Sequence, residues 1–224
     1  MILKDQSQTN LAADRSTERS QFDGPIYKDA APCFTEGTRI IALGGEKPVE
    51  NIQIGDQILT ADHGFQTVRW VGRRHVSQDD LVQYPQLRPY IIKKGAFGNQ
   101  RDLRVSPQHG MARRINGKET LLRAKNVEQE LGSDAAVLDL DCKEVLYFHI
   151  LFDQHELVFA EGALSEAYLP GPSAIGSLDQ DARDELLFLF PELHDIWTSA
   201  KPTHAVFGRP ARSYFEPDAI KIAA

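Results

Sequence analysis

Cysteine is scarce. Two residues, Cys33 and Cys142, in a chain of 224 make no disulfide framework, and one bridge between them is the most they allow. There is no Cys-x-x-Cys pair and no zinc-finger spacing, so no structural zinc site is signalled. Long apolar runs are absent too: none approaches the roughly 18 to 20 residues of a membrane span, and no transmembrane segment is expected. The first residues, MILKDQSQTNLAADRSTERSQ, lack the apolar core of a secretory signal peptide. The expectation is a soluble chain, cytoplasmic or exported by a signal-less route. Basic charge is in deficit, with 25 Lys and Arg against 32 Asp and Glu and a net charge of -7. A nucleic-acid binder needs a basic patch or stripe. The basic clusters here, RWVGRR and MARR, are short and read as solvated strand or turn faces, so no nucleic acid is expected as a partner. No internal repeat of fixed period is present.

What the chain does have is 42% hydrophobic residues, enough to bury a core without staples. Residues up to about Pro25 are polar and without period, a flexible leader. From Thr38 the pattern becomes short strand-like pieces broken by turns: TRIIAL, the turn GGEK, PVENI, QILTA after Gly55-Asp56, then DHG and FQTVRWV. Turn signals recur every 8 to 12 residues or so, which favours an all-β domain over βαβ units. YPQLRPYIIKKGAFGNQ reads as a loop with one apolar piece, IIKKGAF. LRVSPQHGMA and a hairpin-like INGKETLLRA follow, then a long stretch of β character, AAVLDLDCKEVLYFHILFDQHELVFAEGAL. VLYFHILF is apolar on both faces, so it belongs inside a sheet. After PGPSAIGS the segment DQDARDELLFLFPELHDIW begins acidic and carries apolar residues at helical spacing, with Pro191 set to break the helix. The chain therefore divides into a leader (1–32), a mainly β domain (33–171) and a short helical tail (172–224).

Cys33 stands where the leader meets the first strand. A lone cysteine is ordinarily a small buried hydrophobe. Two potential partners, the histidines of SPQH and FDQH, make a reactive thiol the competing reading.

CFTEGTRIIALGGEKPVENIQIGDQILTADHGFQTVRWVG resembles the opening block of Hedgehog/intein (Hint) domains: a leading Cys, a Gly-Thr shortly after, a hairpin with a Gly turn, Pro-Val-x-x-Ile and a Gly-Asp turn. LRVSPQHGMA is similar to the second block, where Thr-x-x-His is usual. VLYFHILFDQHELVFAEGALSE is similar to the closing block. The likeness runs from about Cys33 to Gly171 and is nearest the bacterial stand-alone Hint subfamily.

That resemblance implies an all-β, horseshoe-like Hint fold and an autoprocessing reaction. The Cys33 thiolate would attack the carbonyl of Pro32, an N-to-S acyl shift that joins leader and domain through a thioester. His109 is the implied general acid for the leaving nitrogen. Ser106, where Thr is usual, would hydrogen-bond or orient the peptide, with a plain turn as its other reading. His155 falls at the closing histidine. His149, within the apolar strand, reads as a core histidine or a supporting group. A metal site of Cys142, His149 and His155 is a further alternative that lacks a fourth ligand. No cofactor and no metal are called for.

The sequence departs from inteins at the end of the closing block. GALSEAYLPG has no terminal Asn and no splice acceptor, so only the amino-terminal half-reaction is expected. Pro32 fixes φ, crowds its own carbonyl and pushes Ala31 toward extended geometry. The readings are thus a single-turnover self-processing cysteine domain acting on its own leader, an inactive Hint-fold binding or structural module, and a conventional cysteine hydrolase using Cys33 and His109. The acyl acceptor stays unassigned among water, a sterol, a small thiol and a protein amine.

Overall fold

VLYFHIL buries both of its faces because it is paired along both edges and packed above and below. The computed structural model describes residues 31–216. The expected leader lies outside the described residues except for Ala31 and Pro32.

In chain order the first half forms β1 (Phe34–Thr35), β2 (Arg39–Ala42), β3 (Gly45–Pro48), β4 (Gln57–Thr60), β5 (Gly64–Thr67), β6 (Trp70–Val76), α1 (Gln78–Gln83), β7 (Tyr90–Ile92) and β8 (Leu103–Val105). Then come β9 (Gly110–Ile115), β10 (Lys118–Arg123), α2 (Ala124–Leu131), β11 (Ala136–Leu138), β12 (Val145–Leu151), β13 (Leu157–Ala160) and β14 (Ala163–Glu166). The tail contributes α3 (Pro172–Gly176), α4 (Gln180–Leu189), α5 (Leu193–Trp197), α6 (Thr203–Val206) and β15 (Ser213–Tyr214). The fold is mainly β with C-terminal helices.

Two sheets carry the domain. The six-stranded one runs β11-β7-β8-β1-β12-β6. The nine-stranded one runs β15-β10-β9-β14-β13-β2-β4-β5, with β3 attached to β2. Neighbours are antiparallel except β15, which joins β10 in parallel. Turns do the reversing where the residue type permits it: Asn116 and Gly117 both take positive φ (50° and 79°) between β9 and β10, the geometry that suits strand twist.

Two apolar clusters result. One holds Phe34, Ile40, Ile58, Phe148 and Ile150; the other holds Cys33, Trp70, Tyr147, Leu151 and Tyr168. Alternation along β12 sends successive side chains to one or the other. The tail helices complete the second cluster through Ile175, Leu178, Leu186, Leu193 and Ile196. The indole of Trp70 donates to Glu185 of α4 at 3.0 Å.

The structure differs from the sequence reading in several places. The stretch before Pro85 holds a helix, α1, opened by a capping box in which Ser77 and Asp80 bond reciprocally. The segment read as a loop contributes a short strand, β7 (Tyr90–Ile92), from the start of IIKKGAF. Helix α2 follows the β9–β10 hairpin directly. The tail is not only helical, because β15 returns to the sheet. Pro191 does end a helix: α4 stops at Leu189 and α5 begins at Leu193.

Gly72 of β6 lies opposite His149 in the ladder, and a Cβ there would meet the Trp70 ring at 2.1 Å. Gly72→Ala should therefore overpack the second cluster and cost about 1–3 kcal/mol. Urea unfolding followed by tryptophan fluorescence checks this, and a variant as stable as the parent contradicts it.

Candidate active site

Phe34 pairs with Val105 on one side and with Phe148 on the other, both antiparallel. One step back along the ladder, Cys33 falls between Ser106 and His149. Sheet register alone therefore brings together three residues 73 and 116 positions apart in sequence.

Ser106 grips the Pro32–Cys33 peptide from one side. Its Oγ accepts the Cys33 N–H (2.9 Å) and donates to the Ala31 carbonyl (2.7 Å), while its own N–H donates to the Cys33 carbonyl at 3.0 Å. His149 stands on the other side. Its Nδ1 is 3.2 Å from the Pro32 carbonyl oxygen and 3.5 Å from Cys33 Sγ; Nε2 is 3.7 Å from the same sulfur. The thiol itself donates to the Ala31 carbonyl at 2.9 Å. Trp70 stacks on the His149 ring and Tyr168 meets it edge-on, with centroids 6.3 and 5.0 Å away.

Burial sets the charge state. It pushes the Cys33 thiol up to about 12, against the Ser106 hydrogen bond and Arg74, which pull it down. It pushes His149 down to about 4, against the hydrogen bond to Pro32. At neutral pH the resting pair is a neutral thiol beside a neutral imidazole.

A second constellation surrounds His109. Its Nε2 meets Ser165 Oγ at 2.5 Å, and its ring lies edge-on to Phe34 at 4.6 Å. Its Nδ1 is buried without a partner, as is the Tyr168 hydroxyl. Burial lowers His109 to about 4 as well. Next to it, the Gly110 N–H donates to the buried carboxylate of Glu166, which also accepts from Tyr214 at 2.6 Å. His155 Nε2 is 3.6 Å from Glu166 and 3.3 Å from the Ala167 carbonyl; its Nδ1 accepts the Ala211 N–H at 3.0 Å.

Residues 32–172 match the Hint domain family. The chain belongs to that family. Among solved structures, a bacterial intein-like domain from Clostridium thermocellum is 16% identical with a TM-score of 0.45, covering 60% of this chain and 97% of its own. The AceL NrdHF class 3 split intein is similar at 16% identity and a TM-score of 0.42, covering 61% and 97%. A DnaB intein from Synechocystis sp. PCC 6803 is similar at 12% identity and 0.41, covering 61% and 99%. No curated protein matches the chain.

Within this Hint domain, the residues singled out from sequence fall into two groups. Ser106 and His149 both meet Cys33 at the Pro32–Cys33 peptide, from its two sides. His109 and His155 belong to the neighbouring network of Ser165 and Glu166, and neither hydrogen-bonds that peptide. Both cysteines are free. Cys142 bonds the Glu144 carbonyl, apart from the two histidines it was grouped with, and no metal-holding group of three or more occurs among the described residues. No helix among the described residues is long and apolar enough to cross a membrane.

Glu166, Trp70, Tyr168 and Tyr214 were not picked out from sequence. Glu166 carried a signal: it is the one charge in the short segment GALSEAYL, and a fully buried carboxylate needs fixed donors. Burial raises it, but His155 and Tyr214 outweigh that and hold its carboxyl below the usual range.

His109 and His149 must take up protons on unfolding between about pH 6.5 and about 4. Their folded values are depressed, so the unfolded chain binds more protons in that window and stability falls as the pH drops through it, by a few kcal/mol in order of magnitude. A urea midpoint that stays constant from pH 6.5 to 4.5 contradicts this.

Proposed function

We propose that this Hint domain performs an N-to-S acyl shift at Pro32–Cys33, giving a thioester from which its leader, residues 1–32, is released or transferred. The observation that carries the reading is that one imidazole touches both reacting groups: His149 reaches the Cys33 sulfur and the Pro32 carbonyl oxygen. With its proton on Nδ1, the ring donates to that oxygen and leaves Nε2 free to take the thiol proton.

Sulfur then attacks the Pro32 carbonyl carbon and the C–S bond forms. The oxyanion is held by the Nδ1–H. The C–N bond breaks, and the Cys33 nitrogen leaves as an amine that needs one proton. The proton that sulfur gave to His149 passes to that nitrogen, so the amide N–H becomes an amine, the imidazole is neutral again and the step balances without an outside acid. Ser106 Oγ sits 2.9 Å from the departing nitrogen, and His109 follows one turn later, its N–H donating to the Ser106 carbonyl at 3.1 Å. The orphan Nδ1 of His109 is the remaining donor or acceptor in this environment once the peptide distorts.

Because the resting thiol and imidazole are both neutral, the amide form predominates, and a nucleophile that draws off the thioester pulls the shift forward. A cleft of about 260 Å³, lined by Ala31, Pro32, Gln108, Arg123, Ser173 and Tyr214, gives such an acceptor a path to the acyl side. A conventional cysteine hydrolase is disfavoured, since Cys33 is only 2% exposed and His109 bonds Ser165 rather than the thiol. Splicing is not part of the reading, because the closing block lacks the terminal Asn.

Intact mass of the full chain over time, with and without an added thiol, tests the proposal. Loss of residues 1–32 should occur, faster with thiol, and should be absent in Cys33→Ala. His149→Ala should slow it by roughly 100-fold or more, the range of general acid–base assistance. A chain that stays whole under every condition would instead favour a Hint fold kept as a binding module.

A further inference from the structure

The family match ends at residue 172, yet the chain comes back to the site forty residues later. Residues 208–216 form a strap whose strand β15 joins the edge of the nine-stranded sheet. Ser213 and Tyr214 pair in parallel with Thr120 and Leu121 of β10, and the Phe215 N–H donates to the Leu121 carbonyl at 2.8 Å. Arg212 ties the strap down through Glu119 and both oxygens of Asp62. The Arg123 guanidinium lies over the Tyr214 ring at 4.3 Å.

Two groups of the strap reach inward. The Tyr214 hydroxyl donates to Glu166 Oε2 at 2.6 Å, and the Ala211 N–H donates to His155 Nδ1 at 3.0 Å. Glu166 is fully buried, so its charge depends on the donors around it. Those are the Gly110 N–H on Oε1, the Tyr214 hydroxyl on Oε2, and His155 at 3.6 Å from Oε2. Without Tyr214, Oε2 keeps only the long contact to His155.

The carboxylate in turn presses on the turn that carries His109. A Cβ on Gly110 would sit 2.8 Å from Glu166 Oε1, so carboxylate and backbone are already at contact distance. Ser165, one residue before Glu166, holds His109 Nε2. A shift of β14 at this point therefore moves His109 through both its backbone neighbour and its ring. Tyr214 also lines the cleft beside Pro32.

We propose that the 208–216 strap is a working part of the site: Tyr214 and Ala211 fix Glu166 and His155, and Glu166 with Ser165 sets the position of His109. Tyr214 and Glu166 are positioning residues, and the catalytic side of the claim rests on the acyl-shift reading above. Phe215 packs on the first apolar cluster and Arg212 keeps its ion pairs, so replacing Tyr214 by Phe removes the hydroxyl, keeps the ring and leaves the strap in place.

The test is Tyr214→Phe in the full chain, read in two ways. The first is the rate of thiol-induced loss of residues 1–32, expected to fall by roughly tenfold or more, the factor a charge-assisted hydrogen bond carries. The second needs no activity: side-chain and backbone NMR of His109, His155 and Gly110. The Gly110 amide proton should move upfield as its bond to Glu166 loosens, and the His109 ring signals should shift, while the melting temperature changes by a few degrees at most. A tenfold slower variant with unmoved His109 and Gly110 signals would overturn the positioning role, as would an unchanged rate. If the parent chain itself does not cleave, the acyl-shift reading fails alone. The strap is then judged on the NMR signals, and unchanged signals overturn it.

Discussion

Phe34 is hydrogen-bonded into the sheet from both sides, and the chemistry of the molecule hangs on that double pairing. A two-residue strand has little stability of its own. Inserted between β8 and β12 it is over-determined, because a slip of one residue would turn Phe34 out of the core and Cys33 away from its partners. The same ladder that buries Phe34 sets Ser106 and His149 on either side of Cys33. Sheet and site are one construction, and the Pro32–Cys33 peptide is the last piece of chain before the pairing begins.

Burial is the second constraint, and it acts against reactivity. The thiol and the two histidines sit in or beside an apolar cluster capped by the tail helices, so all three are held neutral. Such a site stays quiet unless the proton moves within it. His149 is placed to take part in that movement, with its ring nitrogens 3.5 and 3.7 Å from the sulfur and Nδ1 also 3.2 Å from the Pro32 carbonyl oxygen. Proximity is supplied by covalent connection, since nucleophile and target bond are adjacent in the chain.

How much of this was legible depends on range. Strand periods, glycine turns and the order of three blocks gave the Hint fold, since those signals are local. Cys33, Ser106, His109, His149 and His155 all stood out as residue types. Their grouping did not, because it depends on register: alternation put His149 in an apolar strand, and only the pairing of Phe34 with Phe148 reveals that Cys33 is its neighbour there. The capping box at Ser77 and Asp80 was a readable local signal for α1. Tyr214 offered none, since its partner Glu166 lies 48 positions away and the strap is too short to announce itself as a strand.

The central claim is that the Pro32 carbonyl can pass from nitrogen to sulfur within the folded chain. Carbon-13 placed at that carbonyl, in the full chain and in Cys33→Ala, reads the transfer at the atom concerned. The account predicts a resonance at thioester frequency beside the amide signal in the native chain, growing when His149 and Ser106 are intact and absent when the sulfur is removed. An amide resonance alone, unchanged with time and with added thiol, would contradict it.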